Sequence, residues 1–326
     1  MAIRNKNVAS DAAISLSKIA GGGVGPGMGR ILYVCPSTSP LYDRWSNEVP
    51  AGDLFLTLAA AYAQTVTNRN DVIILAPEGH ALTSMLSVTK RKVHFLGADV
   101  GGKYYGQRAR ITMGDSTTAA DIALVQVTGQ AVSFTNIKFD SSSTVAASLY
   151  TVADGGEYTQ FTNCEFYKST DLDEDDAAEL LCNGDSSKYE GCTIGSNANA
   201  ITATGARPCV LLTTGTISGK SCRDVTFKDC FFWRNAGEVA NSFIHSAGAA
   251  DVERMLLFKD CLFFNTKLAA ASMANGLTAA ASLTVGYILL KDCTIIGADD
   301  FANATGIYNA SGAANAVNGG EAIQAT

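Results

Sequence analysis

Six times along the chain a bulky apolar residue is followed, three and five positions later, by two more residues that read as inward-facing. The segments are FTNIKF at 134–139, FTNCEF at 161–166, YEGCTI at 189–194, FKDCFF at 227–232, FKDCLF at 258–263 and LKDCTI at 290–295. Offsets of i, i+3 and i+5 fit neither the alternation of a strand nor the stripe of a helix. They fit two short strands joined by one bent residue. The bend falls on Asn136, Asn163, Gly191, Asp229, Asp260 and Asp292. All are types that tolerate the left-handed region, which costs other L-residues about 1–2 kcal/mol. None is β-branched. The next residue is Ile137, Cys164, Cys192, Cys230, Cys261 or Cys293, and a cysteine is small enough to point inward just after a sharp corner.

These six positions are spaced 27, 28, 38, 31 and 32 residues apart. A loose period of about 30 predicts a solenoid, in which one turn cannot bury its apolar face without its neighbours. From residue 122 each turn shows a further strand ahead of the module, at 123–128, 148–152, 179–182, 209–213, 242–245 and 283–285. Between them lie short Gly/Ser/Asn corners, with a helical turn allowed within 269–281. Eight or nine coils follow from this count.

The chain enters the solenoid through a strand at 31–35 and a helix capped by Asp53, with Leu54, Leu58 and Tyr62 on one face. Then comes DVIILAPEG at 71–79, a strand ending in a turn, and strands at 93–97 and 110–113. Lys90, Arg91 and Lys92 form a solvated corner. Residues 1–29 carry six glycines between 21 and 29 and no continuous apolar run. They read as an extended arm anchored by Ile3, Val8, Ile14, Leu16 and Ile19, without a secretion signal. After residue 296 the composition turns to Ala, Asn and Gly. The expected organisation is an arm at 1–29, an all-β solenoid with its N-terminal cap at 30–300, and a C-terminal cap or tail at 301–326.

The modules, with the strand, helix and D-V-I-x-x-A-P-x-G order ahead of them, resemble the right-handed parallel β-helix of the pectin-lyase-like superfamily over roughly residues 31–297. The resemblance implies coils with inward ladders of Cys, Asn and aromatic residues, and an N-terminal helix that covers the open end of the first coil. A bare terminal coil would expose unpaired backbone groups. The scaffold carries lyases, hydrolases and non-enzymatic virion proteins alike, so the resemblance speaks to fold.

Composition narrows the chemistry. Of 326 residues 47% are hydrophobic and 17% charged, and the formal charge of −7 argues against a nucleic-acid partner. No apolar run is long enough to span a membrane. Nine cysteines, five of them at one repeated position, with no C-x-x-C and three scattered histidines (His80, His94, His245), read as reduced packing groups. Disulfides need Cβ directions that side chains stacked in parallel do not supply.

Candidate chemistry is thin. The acidic run at 171–176 starts like a calcium loop but has Asp176 where glycine is needed and Cys182 where glutamate is needed. It reads as a solvated corner with a weak cation site as the alternative. The GTISGKS segment at 215–221 has three residues between its glycines where a phosphate loop has four. Of the acids that recur in or near the coils, Asp140, Asp229, Asp260 and Asp292, the last three sit at bends, a structural role. No catalytic, cofactor or metal residue is therefore expected. The expected function is that of a non-enzymatic bacteriophage virion protein, a capsid decoration or head-associated protein, assembled in the host cytoplasm. It is expected to bind through its N-terminal arm to other virion proteins and to form a homo-oligomer, a trimer. The alternatives are a tailspike-like polysaccharide lyase or hydrolase, and a carbohydrate-binding adhesin with a host surface glycan as ligand.

Overall fold

The structure, a computed structural model, describes residues 29–98, 109–115, 121–145, 147–169, 177–196, 201, 206–217, 219–267, 273–310 and 322–323. Three parallel sheets of 11, 9 and 8 strands run along one axis, and eight coils give a strand to each of them. One coil reads Ser133–Thr135, Ile137–Ser141 and Tyr150–Asp154; the next reads Gln160–Thr162, Glu165–Lys168 and Ala178–Cys182. The register sets like on like. Phe134 pairs with Phe161, Phe139 with Phe166 and Val152 with Leu180.

The bend between the first and second sheets is the repeated residue of the module. Asn136, Asn163, Gly191, Asp229, Asp260 and Asp292 all have φ between 52° and 64°. The turn aims the bend N–H at the next coil: Asn163 donates to the Glu190 carbonyl at 2.8 Å, Asp229 to Lys259 at 3.0 Å and Asp260 to Lys291 at 3.0 Å. The residue after the bend then points inward. Cys164, Cys192, Cys230 and Cys261 are buried, and Cys293, in the last complete coil, is partly exposed. Each thiol donates back to the carbonyl of the ring-bearing residue one coil earlier: Cys192 to Phe161 at 3.4 Å, Cys230 to Tyr189 at 3.4 Å and Cys261 to Phe227 at 3.6 Å. Cysteine thus fits the corner as a small apolar group and as a weak donor. We expect Asp260→Gly to be nearly neutral and Asp260→Val to destabilise by about 1–2 kcal/mol or more. Equal urea midpoints for the two variants would contradict a left-handed corner.

A second line of left-handed residues marks the corner between the third and first sheets: Lys92, Ala131, Tyr158, Ser186 and Asp224, with φ of 50–56°. Their N–H groups also reach the next coil, as from Ala131 to Glu157 at 2.8 Å and from Tyr158 to Asp185 at 2.8 Å.

Inside the barrel Phe95, Phe134, Phe161, Tyr189, Phe227 and Phe258 stack with ring centroids 4.3–5.0 Å apart, nearly parallel. Tyr189 replaces phenylalanine because its hydroxyl, donating to Asp154 Oδ2 at 2.6 Å, is needed there. Asp154 is wholly enclosed and also accepts from Thr159 Oγ1 at 2.7 Å and from the Gly156 N–H at 3.1 Å. Burial pushes its carboxyl above the ordinary aspartate range, against those donors. The folded chain therefore keeps a proton that the unfolded chain releases near pH 4. Stability falls as pH rises from there through the folded pKa. Asp154→Asn should flatten that fall in urea midpoints taken between pH 4 and 7; an unchanged slope would show that Asp154 does not drive it.

The N-terminal end departs from expectation in two ways. Helix α1, Tyr42–Glu48, was not foreseen; it presents Trp45 edge-on to Tyr33, with centroids 5.7 Å apart. The capping helix is α2, Leu58–Gln64, and its N-cap is Thr57, whose side chain accepts from the Ala60 N–H, and not Asp53. Asp53 instead pairs with Arg30 at 2.5 Å, and Leu54–Phe55 form the outermost strand of the first sheet. The helix buries Leu58, Ala61 and Tyr62, and the Tyr62 ring closes the aromatic stack, 6.1 Å from Phe95. Lys90 is no solvated corner residue. Its Nζ donates to the carbonyls of Tyr62, Ala63 and Thr65 at 2.7–3.1 Å, at the helix C-terminus.

Near the other end, Met273–Ala279 is a strand of the third sheet and 283–285 is loop, with Val285 exposed. Small residues mask the pattern there: Met273 and Leu277 face the core with an alanine-rich surround, and they pair onward with Ala298 and Ala302. The expected boundary at residue 300 falls inside a strand, Ala298–Ala302. Ile307–Asn309 and Ala322–Ile323 extend the first and second sheets beyond it. Ile3, Val8, Ile14, Leu16, Ile19 and the acidic run at 171–176 lie outside the described residues.

Candidate functional site

Because Ile111, Phe139 and Phe166 face inward, their neighbours in the second sheet face out. The register places Arg110, Lys138 and Glu165 in one outward row and Thr112, Asp140 and Tyr167 in the next. Lys138 Nζ lies 3.0 Å from Glu165 Oε1 and 4.3 Å from the centre of the Tyr167 ring. Burial pushes the Asp140 carboxyl above its ordinary range; Lys138 and Arg110 pull it down and Glu165 adds to the rise. One carboxyl is thus pushed toward holding a proton beside another that is paired with a lysine. Asp140 and Glu165 are diagonal neighbours on adjacent strands, within reach of each other for long side chains.

The other recurrent acids are placed differently. Asp229, Asp260 and Asp292 occupy bends, and Lys228 Nζ lies 3.5 Å from Asp229 and 2.7 Å from Glu190. The cluster at Asp140 thus draws in one acid that sequence reading singled out and omits the other three. Lys138, Glu165, Arg110 and Tyr167 were not foreseen. Aligning FTNIKFD with FTNCEFY would have set Lys138 against Glu165 and Asp140 against Tyr167 as neighbours on the outer face.

A second charged group lies inside the corner between the second and third sheets. Arg234 NH1 and NH2 each reach a Glu179 oxygen at 2.8 Å, and both residues are almost fully enclosed. Lys168, on the neighbouring strand, is enclosed too and donates to the Ser148 carbonyl at 2.8 Å. Burial lowers its pKa to about 8. The histidines remain separate: His80 Nε2 is 2.9 Å from the Ala76 carbonyl, His94 Nδ1 2.8 Å from Ser133 Oγ and His245 Nδ1 2.8 Å from Thr278 Oγ1. Among the described residues no group of three or more His, Cys, Asp or Glu is arranged to hold a metal, and no helix is long and apolar enough to cross a membrane.

No family model matches the chain, and no curated protein matches its sequence. Solved structures do match its shape. Pectate lyase Pel9A aligns with a TM-score of 0.55 at 14% identity, over 87% of this chain and 69% of that one. The pectin methylesterase of Aspergillus niger aligns with a TM-score of 0.54 at 14% identity, over 88% and 81%. PemA, a pectin methylesterase of Erwinia chrysanthemi, aligns with a TM-score of 0.53 at 10% identity, over 90% and 92%. The fold is the pectin-lyase-like right-handed parallel β-helix. At this identity the likeness is one of backbone, and the residues of this β-helix must speak for its chemistry.

Proposed function

We propose that this β-helix is a non-enzymatic structural protein of a bacteriophage particle, a capsid decoration or head-associated protein that attaches through residues 1–29 as a homotrimer. The observation that supports a structural role is the placement of the coil carboxylates. Asp229, Asp260 and Asp292 hold left-handed corners, Asp154 is enclosed and accepts from Thr159 and Tyr189, Glu179 is enclosed and paired with Arg234, and Asp251 accepts from Thr214 and Gly248. Acids spent on the scaffold are not free for chemistry. The particle assignment rests on the resemblance of the layout to virion β-helices. Electron microscopy of the native particle tests it: threefold density of this shape on the head supports the reading, and density confined to the tail or absent overturns it. Removing residues 1–29 should leave a folded β-helix of nearly unchanged melting temperature that no longer joins the particle. Normal incorporation of the truncated protein would show that another surface attaches it.

The cluster on the second sheet favours one further reading, a polysaccharide-acting enzyme. Asp140, whose carboxyl is pushed above its ordinary range by burial, lies beside the lysine-paired Glu165; two such carboxyls can give and take a proton, and Tyr167 offers a face for a sugar ring. Purified protein incubated with host capsule or lipopolysaccharide decides between the readings. Release of reducing ends or unsaturated uronates, abolished in Asp140→Asn, would replace the structural reading with this one.

A further inference from the structure

The inward row at the end of the second sheet turns polar after the apolar Ile111, Phe139 and Phe166. Ser141 and Lys168 are register partners in it, on adjacent strands about 4.8 Å apart. Both are enclosed, and so is Ser148, whose carbonyl takes one of the three Lys168 protons. The hydroxyls of Ser141 and Ser148 have no hydrogen-bond partner at all. Among the described residues no carboxylate forms an ion pair with Lys168: Glu179, the one acid acting on it through space, is turned to Arg234, which takes both of its oxygens.

One ammonium, with a single carbonyl as acceptor, and two unpartnered hydroxyls are thus enclosed together without a paired carboxylate. An ammonium stripped of water is costly unless a counter-charge meets it, and an enclosed hydroxyl left unpaired loses the hydrogen bond it had in water. A water molecule could accept from them but could not neutralise the charge. We propose that this corner is a binding site for one small monovalent anion of the halide class, held by Lys168 Nζ with the Ser141 and Ser148 hydroxyls. The ammonium, at about 8 after burial, is still charged at neutral pH, so the site keeps its positive centre under ordinary conditions. The anion would be a structural one, tying the strand ends of two coils to the loop that carries Ser148. It is independent of whether the outer face is catalytic.

Thermal unfolding of the full chain in sodium chloride, sodium bromide and sodium gluconate at one ionic strength tests the site. The expected result is a melting temperature that climbs with halide concentration and stays flat in gluconate. In Lys168→Met the halide dependence should vanish, and in Ser141→Ala it should shift to at least tenfold higher concentration. Should Lys168→Met fail to fold, Ser141→Ala keeps the test intact. A second readout is the anomalous signal of bromide in crystals, expected within hydrogen-bonding distance of Lys168 Nζ. A melting temperature indifferent to halide, an equal halide response in all three proteins, or a water molecule in place of bromide would each overturn the proposal.

Discussion

Arg234→Met should cost about 3–5 kcal/mol, because it leaves the Glu179 carboxylate enclosed without its partner. Both oxygens of Glu179 are committed to that one guanidinium at 2.8 Å, and both side chains are nearly inaccessible. Burial pushes Glu179 above the ordinary glutamate range while Arg234 pulls it down. Removing Arg234 leaves the upward push of burial against the weaker pulls of a backbone hydrogen bond and of Lys168. A domain of total stability about 5–15 kcal/mol would lose a large share of it. The double variant Arg234→Met/Glu179→Leu should recover most of the loss, since the penalty lies in the unpaired charge and not in the missing attraction. Urea unfolding of wild type, both singles and the double gives the coupling directly. Additive single effects would show that the pair does not act as a unit.

Cys230→Asp should be at least as damaging, by about 4 kcal/mol or more, and Cys230→Ala far milder. The Cys230 thiol lies inside the barrel between Cys192 and Cys261 and donates to the carbonyls of Tyr189 and Lys228 at 3.4 and 3.3 Å. A carboxylate put there would face two carbonyl oxygens, acceptor against acceptor, with no cation at hand. It would have to take up a proton or open the coil. Alanine forfeits a weak hydrogen bond and a sulfur's worth of packing. Melting temperatures that match for the two variants would place the position outside the core.

The sequence made the solenoid legible because one corner must be left-handed and must be followed by a small residue. Those two demands fall on the same two positions in six of the eight coils, as in Asn163–Cys164 and Asp260–Cys261. The other corner has the same backbone but no such side-chain rule. Its residues point into solvent, so Lys92, Ala131, Tyr158, Ser186 and Asp224 share a φ and nothing else. The cap shows a different limit: Asp53 and Thr57 are both sound N-cap residues, and only the pull of Arg30 on Asp53 decides between them. The strand Met273–Ala279 was hidden because alanine and glycine carry little periodicity, and its neighbours supply the pairing. As for the cluster at Asp140, its members come from three coils, and outward residues repeat no pattern that the fold itself requires.

The two kinds of corner contact run in opposite directions along the chain. The bend N–H of one coil reaches forward to a carbonyl of the coil after it, as Asn163 does to Glu190. The thiol of that later coil reaches backward, as Cys192 does to Phe161. On a ribosome, therefore, no coil can close its own corner until about thirty more residues have emerged. The growing end of the nascent barrel always carries one unanswered donor per corner and one open aromatic face. The stem already folded is a template for the next coil and for nothing shorter, so the chain should lengthen in whole turns, with pauses in synthesis tolerated best at the loops between modules.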